Sequence, residues 1–333
     1  MRFIVLGAGS IGRRHLRNSR ALGHQIVAVF DPDSGRRAEA GALADAGALV
    51  TDDATAALAV AADAVLVCSP THRHVEQARA AVDRGLHVLV EKPLSHALDG
   101  TADLVTAAAR GRRTVLVGCN LRFLPSLALV KRLFDEGRIG APLSARAHCG
   151  YYLPYWRPDT DYRRGYGAQR AMGGGIILDA IHELDYVRWL LGDPREVFCY
   201  ADKVSDLDID TEDTADLLLR FDYGVIANVH LDYLQPTYRR GCELVGRDGL
   251  ILWDYTTQTV RVHGKDYRRH EVFEEPISTD PNDMYVEELR HFVTSIERGT
   301  PPMLDAAGGR RVLEIALAAK TSAAEGRPVR LEP

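Results

Sequence analysis

The apolar run Phe3 to Leu6 predicts a short buried strand that leads directly into Gly7-Ala-Gly-Ser-Ile-Gly12 and then into a helix. In a strand–loop–helix unit of this kind, the first glycine allows the tight turn and the second allows close approach of a pyrophosphate. The third lets the helix pack on the strand. The helix N-terminus adds N–H donors and a partial positive charge. The loop therefore predicts a dinucleotide-binding site that includes Gly7, Gly9, Ser10, Ile11 and Gly12.

The second predicted strand, Gln25 to Phe30, ends at Asp31, about 20 residues beyond the loop. A carboxylate at this position would hydrogen-bond the ribose 2′-hydroxyl of NAD and repel the 2′-phosphate of NADP. Arg36 and Arg37 follow closely and would soften that preference, so NAD is favoured and NADP is the alternative. The competing interpretation of Asp31 is a simple turn residue before Pro32.

Strands and helices alternate as far as residue 120, with apolar strands predicted at Ala64 to Cys68, Leu86 to Val90 and Thr114 to Val117. This alternation predicts an α/β fold with a doubly wound parallel sheet. Ligands of such sheets bind outside the carboxyl ends of the strands. The residues predicted to border the cofactor there are Ser69, Pro70, Thr71, His74, Glu91, Lys92 and Asn120.

The buried strand Leu86 to Val90 runs without a break into Glu91-Lys92-Pro93. A lysine at the carboxyl end of a central strand lies at the mouth of the ligand crevice. There it can hydrogen-bond a substrate oxygen and stabilise developing negative charge. The competing interpretation is an ordinary surface turn that ends the strand.

Charge and cysteine content narrow the class of protein. The net charge of −5 gives no basic footprint for nucleic acid. The five cysteines are scattered and form no C-x-x-C pair, which favours a reduced, cytoplasmic protein and gives no sign of a metal site. The first residues have no signal-peptide layout. No apolar run approaches the ~18 residues that a membrane span needs.

Two segments, Ser69-Pro-Thr-His-Arg-His74 and Gly85-Leu-His-Val-Leu-Val-Glu-Lys-Pro93, resemble the signature of the glucose–fructose oxidoreductase / inositol dehydrogenase / MocA family. The resemblance covers nearly the whole chain. It implies an N-terminal Rossmann domain, residues 1–120, and a C-terminal α+β domain with a large, mainly antiparallel sheet, residues 121–333. It also implies C-terminal helices that pack back on the first domain, and a cis bond before Pro93.

The segment from Arg146 to Arg170 has the most unusual composition, five arginines against two aspartates, interleaved with aromatic residues. Aromatic faces suit sugar rings, and guanidinium groups suit carboxylate or phosphate. The segment therefore predicts a substrate loop for an anionic or nucleotide-linked sugar; a dimer contact or a solvated loop is the alternative. The candidate substrate contacts are Tyr152, Trp156, Arg157 and Arg163, with Arg122 and Tyr285 from elsewhere in the chain.

An apolar helix after Gly173-Gly-Gly175 carries Asp179, His182 and Asp185 at a spacing that places them on one face. A histidine flanked by carboxylates is a good general base, because a carboxylate stabilises its imidazolium. In the resembling family, a glycine-rich start leads to a helix with catalytic aspartate and histidine four residues apart. The gap here is three, so the resemblance supports His182 more firmly than Asp179. The pattern is not H-E-x-x-H, and no metal is expected.

Three hypotheses about function follow. The leading one is an NAD(P)-dependent oxidoreductase that moves a hydride between a nicotinamide cofactor and a hydroxyl or keto carbon of a sugar, sugar derivative or cyclitol. His182 would be the acid/base, Lys92 would orient the substrate oxygen and Asp179 would tune the pair, with Lys92 as the alternative proton carrier. The others are an NAD-dependent glycosidase that uses transient oxidation and a non-catalytic NAD-binding protein. A sheet covered by helices on one face predicts a homodimer or homotetramer through the other.

Overall fold

The computed structural model describes residues 1–156, 160–266, 270–274 and 280–332. The chain divides into two compact units. Unit 1 comprises Met1–Asn120 and Tyr285–Leu313, and unit 2 comprises Leu121–Met284 and Glu314–Pro333. The first segment of unit 1 ends at Asn120, and unit 1 takes in a C-terminal segment as well. The division into domains 1–120 and 121–333 stays a prediction.

The helices and strands alternate in unit 1, and strands predominate in unit 2. No helix in the described ranges combines the length and the apolarity that crossing a membrane requires. In chain order the elements are β1 (Arg2–Leu6), α1 (Ser10–Ala21), β2 (Gln25–Phe30), α2 (Ser34–Gly41), β3 (Leu49–Thr51), α3 (Ala54–Leu58), β4 (Ala64–Val67), α4 (His74–Asp83), β5 (His87–Glu91), α5 (Thr101–Gly111), β6 (Val115–Gly118), α6 (Pro125–Asp135), β7 (Pro142–Gly150), α7 (Leu153–Trp156), α8 (Ile176–Asp179), α9 (His182–Leu191), β8 (Glu196–Asp202), β9 (Thr214–Arg220), β10 (Ile226–Asp232), β11 (Arg239–Gly246), β12 (Gly249–Asp254), β13 (Thr259–Gly264), β14 (His270–Glu274), α10 (Asp283–Arg298), α11 (Ala306–Glu325) and β15 (Val329–Arg330).

The sheet of unit 1 has six parallel strands in the order β3-β2-β1-β4-β5-β6. The prediction of a doubly wound parallel sheet is confirmed. The order reverses between β1 and β4, and ligands bind at such a switch point, outside the carboxyl ends of the strands. The glycine loop, Ser69 and Glu91 all lie at that edge.

Both faces of this sheet are buried, which explains why its strands read as continuous apolar runs. Val88 and Val90 of β5 face a core shared with α3, α4 and α5. Leu89 faces the opposite core, where Leu16 of α1 and Phe292 of α10 pack. Because side chains alternate along a strand, Glu91 points to the side of Leu89, towards α1 and α10.

The sheet of unit 2 has nine strands in the order β14-β13-β12-β11-β7-β10-β9-β8-β15. Every neighbouring pair is antiparallel except β7 and β10, so the prediction of a mainly antiparallel sheet is confirmed. Two hairpins have turns that contain Asp and Gly: Asp222-Tyr-Gly224 joins β9 to β10, and Arg247-Asp-Gly249 joins β11 to β12. The two edge strands, β14 and β15, are short.

The two faces of the nine-stranded sheet differ. Helices α6, α8 and α9 pack on one face. The other face exposes Leu218 (45%) on β9 and Ile226 (50%) on β10, which are diagonal neighbours in the β9–β10 register, together with Tyr200 on β8. Exposed apolar surface on a sheet is typical of interaction faces, and self-association through this face stays a prediction.

Candidate active site

The three glycines of the first loop are constrained in different ways. Gly7 has φ +97°, and a Cβ there would lie 2.6 Å from the backbone nitrogen of Ser69. A Cβ on Gly12 would overlap the carbonyl of Gly7. The protein's own packing thus excludes side chains at both positions. A Cβ on Gly9 would meet no described atom within 4 Å. The open space beside Gly9, at the N-terminus of α1, is where a pyrophosphate fits.

Asp31 lies at the end of β2, beside this loop, and is only 3% exposed. Its carboxylate accepts hydrogen bonds from the backbone N–H groups of Ala8 (2.7 Å) and Asp33 (2.9 Å). Arg37 donates to the carbonyl oxygens of Asp31 (2.8 Å) and Pro32 (2.9 Å). Asp31 therefore also fastens the glycine loop to β2, a role that its sequence position did not reveal.

The glycine pattern leads to a first prediction. Gly9→Ala is expected to keep the stability of the protein nearly unchanged, because Gly9 has φ −63° and a Cβ would enter open space. The same Cβ would hold a pyrophosphate away from the backbone, so the Kd for NAD should rise by about ten-fold or more. Isothermal titration calorimetry measures the affinity, and thermal unfolding measures the stability.

Gly264→Ala is the matched control, since it also faces open space and lies in β13 of unit 2. It should change neither the affinity nor the stability. Wild-type affinity in Gly9→Ala would exclude a pyrophosphate at this loop.

His74 is buried and is held by backbone carbonyl groups, and its predicted position beside the cofactor stays a prediction. It is 1% exposed, and its ring nitrogens lie 2.8 Å from the carbonyl oxygens of Ser69 and Pro93. Burial lowers the pKa of His74, and the two carbonyl contacts act in the opposite direction. With both nitrogens engaged by backbone, His74 ties the segment after β4 to the Lys92–Pro93 bond, which is cis as the resemblance implies.

The remaining predicted cofactor residues lie at the carboxyl ends of β4, β5 and β6. The Ser69 hydroxyl donates to Gln77 (2.6 Å), and Asn120 is buried where a 3₁₀ turn begins. Glu91 is the last residue of β5, and its carboxylate lies 2.7 Å from Nε2 of His15 in α1. Lys92 follows and is partly exposed. The glycine spacing gave no sign that His15 is part of this group.

The predicted single helix after the triple glycine is in fact two. α8 ends at Asp179, the backbone leaves helical geometry at Ala180 (φ −91°, ψ 33°), and α9 begins at His182. The prediction that Asp179, His182 and Asp185 share one helix face is therefore wrong for Asp179, because the backbone turns out of helical geometry between Asp179 and His182. His182 and Asp185 both lie on α9, three residues apart.

Asp179 is surrounded by tyrosine hydroxyls. Tyr151 (2.7 Å), Tyr233 (3.2 Å) and Tyr166 all donate to its carboxylate. Burial, and next the nearby Asp179, raise the pKa values of Tyr151 and Tyr233, so these phenols stay protonated donors near neutrality. A carboxylate that accepts three such hydrogen bonds is suited to orienting neighbouring groups. A side chain that carries a proton during the reaction would have fewer fixed hydrogen-bond partners.

Asp185 is paired with Arg122. The guanidinium donates two hydrogen bonds, Nε to Oδ2 (2.9 Å) and Nη2 to Oδ1 (2.8 Å), and the two side chains are 5% and 2% exposed. Arg122 also lies over the ring of Trp189, 5.1 Å from its centroid. The guanidinium of Arg122 is thus bound to Asp185 inside unit 2, and contact between Arg122 and the substrate stays a prediction.

Arg122→Met is expected to lower the free energy of unfolding by about 3–5 kcal/mol, because it leaves the carboxylate of Asp185 buried without its cation. Urea unfolding measures this loss. The double variant Arg122→Met/Asp185→Leu should recover most of it, since it removes both charges. Equal losses in the single and double variants would show that the loss does not come from an unpaired charge.

The aromatic segment forms a ring cluster in unit 2. Tyr151 lies 4.5 Å from Trp156 between ring centroids, and Trp156 lies 5.5 Å from Tyr238. Tyr152 contacts Tyr155 instead. The sequence named Tyr152 and Trp156 but missed the three tyrosines at Asp179, which come from separate parts of the chain.

The remaining predicted substrate contacts lie in different surroundings. Arg163 is exposed, and its Nε donates to Asp161 (2.8 Å), so the charge of Arg163 is partly neutralised within the segment. Arg157 lies outside the described residues. Tyr285 belongs to unit 1, where the guanidinium of Arg14 lies 4.3 Å from its ring centroid.

A Rossmann unit with a glycine cradle, joined to a unit built on a mainly antiparallel nine-stranded sheet, defines an NAD-dependent oxidoreductase. Residues 1–119 match the family model described as "Oxidoreductase family, NAD-binding Rossmann fold", and residues 127–252 match that of the GFO/IDH/MocA C-terminal domain. The chain belongs to the GFO/IDH/MocA family. The resemblance read from the sequence is confirmed.

Two relatives match over nearly their full length. Inositol 2-dehydrogenase 2 of Saccharopolyspora erythraea is 34% identical, with 99% of this chain and 95% of the relative covered. Myo-inositol 2-dehydrogenase of Thermotoga maritima is 30% identical, with 100% and 99% covered. A levoglucosan dehydrogenase structure in complex with NADH and L-sorbose has the same fold, with a TM-score of 0.90, 20% identity and coverage of 100% of this chain and 99% of that chain.

Proposed function

We propose that this protein is a dehydrogenase of sugars or cyclitols in which His182 carries the proton and Lys92 orients the substrate oxygen. The observation that carries the proposal is the surroundings of Asp179: a carboxylate fixed by three tyrosine hydroxyls, next to a cluster of aromatic rings and three residues before His182. A carboxylate that accepts hydrogen bonds from hydroxyl groups, beside aromatic faces, suits a polyhydroxylated ring. The full-length relatives named as inositol dehydrogenases support the same substrate class.

Bound NAD would supply the chemistry of hydride transfer at the carbinol carbon of the substrate. During oxidation, His182 accepts the proton of the substrate hydroxyl, and during reduction it returns that proton. Lys92 donates a hydrogen bond to the substrate oxygen and stabilises negative charge that develops there. Asp179 acts as a positioning group whose orientation the three tyrosines fix. Its three-residue spacing from His182, across the break at Ala180, distinguishes this chain from the usual family arrangement.

A substrate screen tests the proposal directly. Purified protein is incubated with NAD and with neutral cyclitols, neutral sugars, sugar acids and nucleotide sugars, and NADH formation is followed by absorbance. NADH that accumulates in proportion to the oxidised substrate supports the dehydrogenase. Turnover of glycosides without accumulation would indicate the glycosidase, and no turnover with any class would favour a non-catalytic NAD-binding protein. If only neutral cyclitols react, the arginine-rich segment does not select an anionic substrate.

We also propose that unit 2 mediates homo-oligomerisation through the open face of its sheet. Leu218→Asp combined with Ile226→Asp should convert the dimer or tetramer to a monomer, because both charges would be buried at the interface. Light scattering after gel filtration measures the mass. Val204→Asp is the control, as Val204 is 63% exposed outside the strands. An unchanged mass in the double variant would exclude this face.

A further inference from the structure

Three ionisable side chains meet inside unit 1, beside the carboxyl end of β5. Glu91 comes from β5, His15 from α1 and Glu288 from α10, and each offers one atom within 4.8 Å of the others. All three are buried, and Glu288 is 0% exposed. Neither carboxylate oxygen of Glu288 has a hydrogen-bond partner among the described residues. An uncompensated buried carboxylate is strongly unfavourable, so Glu288 needs a proton or a cation.

The geometry favours a proton. Nε2 of His15 and the carboxylate of Glu91 are 2.7 Å apart, which is a hydrogen-bond distance. Nδ1 of His15 has no partner among the described residues, whereas a metal-ligating histidine almost always donates its second ring nitrogen to an acceptor. Burial, and next the charge of Glu91, raise the pKa of Glu288 well above its usual range. Glu288 therefore holds a proton near neutrality.

The position of this cluster relates it to one part of the cofactor. Asp31, at the end of β2, is predicted to bind the ribose of the adenosine half of NAD, so that half lies at β1, β2 and β3. The nicotinamide half then belongs to β4, β5 and β6, and Glu91 ends β5. Nicotinamide carries a positive charge in NAD⁺ and none in NADH. A cation near two buried carboxyl groups favours their ionised form.

We propose that His15, Glu91 and Glu288 form a proton-binding site that is coupled to the oxidation state of the cofactor: it releases a proton when NAD⁺ binds and keeps it when NADH binds. The inference rests on NAD binding by unit 1 and on no particular substrate. The released proton balances the charge that the oxidised cofactor brings. Since Glu288 gives up its proton to bind NAD⁺, the affinity for NAD⁺ rises with pH, while the affinity for NADH does not change.

Other ionisable groups act on the same cluster. These groups are Arg14 on α1, Cys68 after β4, His74 on α4, Lys92 after β5 and Tyr285 on α10. Burial raises the pKa values of Cys68 and Tyr285, so both stay neutral near pH 7. Burial lowers the pKa of His74. The proposed change of protonation is therefore assigned to Glu288, the carboxyl group that has no hydrogen-bond partner among the described residues.

Nucleotide binding without substrate tests the proposal. Isothermal titration calorimetry in buffers of different ionisation enthalpy counts the protons released, and titrations from about pH 6 to pH 9 give the Kd of each nucleotide. Wild-type protein should release up to about one proton with NAD⁺ and none with NADH, and the Kd for NAD⁺ should fall by up to about ten-fold per pH unit. Glu288→Gln should bind NADH as the wild type does, with no proton release and a flat NAD⁺ profile.

Glu287→Gln is the matched control, because Glu287 is exposed on the same helix and pairs with Arg290; it should behave as the wild type does. If Glu288→Gln unfolds, His15→Gln tests the same cluster and should alter the NAD⁺ profile alone. Equal proton counts for NAD⁺ and NADH in the wild type would overturn the proposal, and so would stoichiometric metal in the purified protein. A failed substrate screen would leave these binding results untouched, so the two proposals can fail separately.

Discussion

Lys92→Ala is expected to lower kcat by about 10³-fold, equivalent to roughly 4 kcal/mol of transition-state stabilisation, while the Kd for NAD changes by less than about three-fold. The ammonium group at the end of β5 is proposed to donate to the substrate oxygen, an interaction that strengthens as negative charge develops. The side chain of Lys92 is not part of the glycine loop, so NAD should still bind when that side chain is removed. Steady-state kinetics on the substrate found by the screen, and calorimetry with NAD, measure the two quantities.

Lys265→Ala is the control, because Lys265 is exposed in unit 2 and pairs with Asp248. It should leave kcat unchanged. A Lys92→Ala protein that turns over at the wild-type rate would remove Lys92 from the mechanism. A large loss of NAD affinity instead would indicate that Lys92 contributes to cofactor binding.

His182→Ala is expected to lower kcat by about 10²- to 10⁴-fold, the range that a positioned general base contributes. The wild-type rate of oxidation should fall below a pH set by the ionisation of His182, because the imidazole must be neutral to accept the proton. That limb of the pH–rate profile should disappear in the variant. Added imidazole should restore part of the rate, since it supplies a base at the vacated position.

This experiment also separates the two candidate proton carriers. If Lys92 is the base, the pH dependence will persist in His182→Ala and disappear in Lys92→Ala, and imidazole will not rescue the rate. His263→Ala, at a partly exposed site on β13, is the control for loss of a histidine elsewhere in unit 2. It should not change the profile.

The local pattern of the sequence was sufficient for the architecture of unit 1, and the family resemblance implied the mainly antiparallel sheet of unit 2. Apolar runs that are buried on both faces mark β1, β4, β5 and β6, and short alternating strands with Asp-Tyr-Gly and Arg-Asp-Gly turns mark the hairpins of the second sheet. The roles of the three loop glycines could also be predicted, because each position requires a glycine for a separate steric reason. These features depend on residues that are close in sequence.

The tertiary structure alone decided which polar groups meet. Asp179 accepts hydrogen bonds from the hydroxyls of residues that are 28, 13 and 54 positions away in the sequence. Arg122 donates to Asp185, which is 63 positions away. His15 and Glu91 are separated by 76 positions, and Glu288 approaches them from a helix near the other end of the chain. Periodicity shows which face of a helix is buried, but it does not show what that face touches. The sequence thus determined the fold, the cofactor class and the candidates Lys92 and His182. Long-range packing decided the partners of each charged group, because the energy of a buried charge depends on neighbours that only the folded chain brings together.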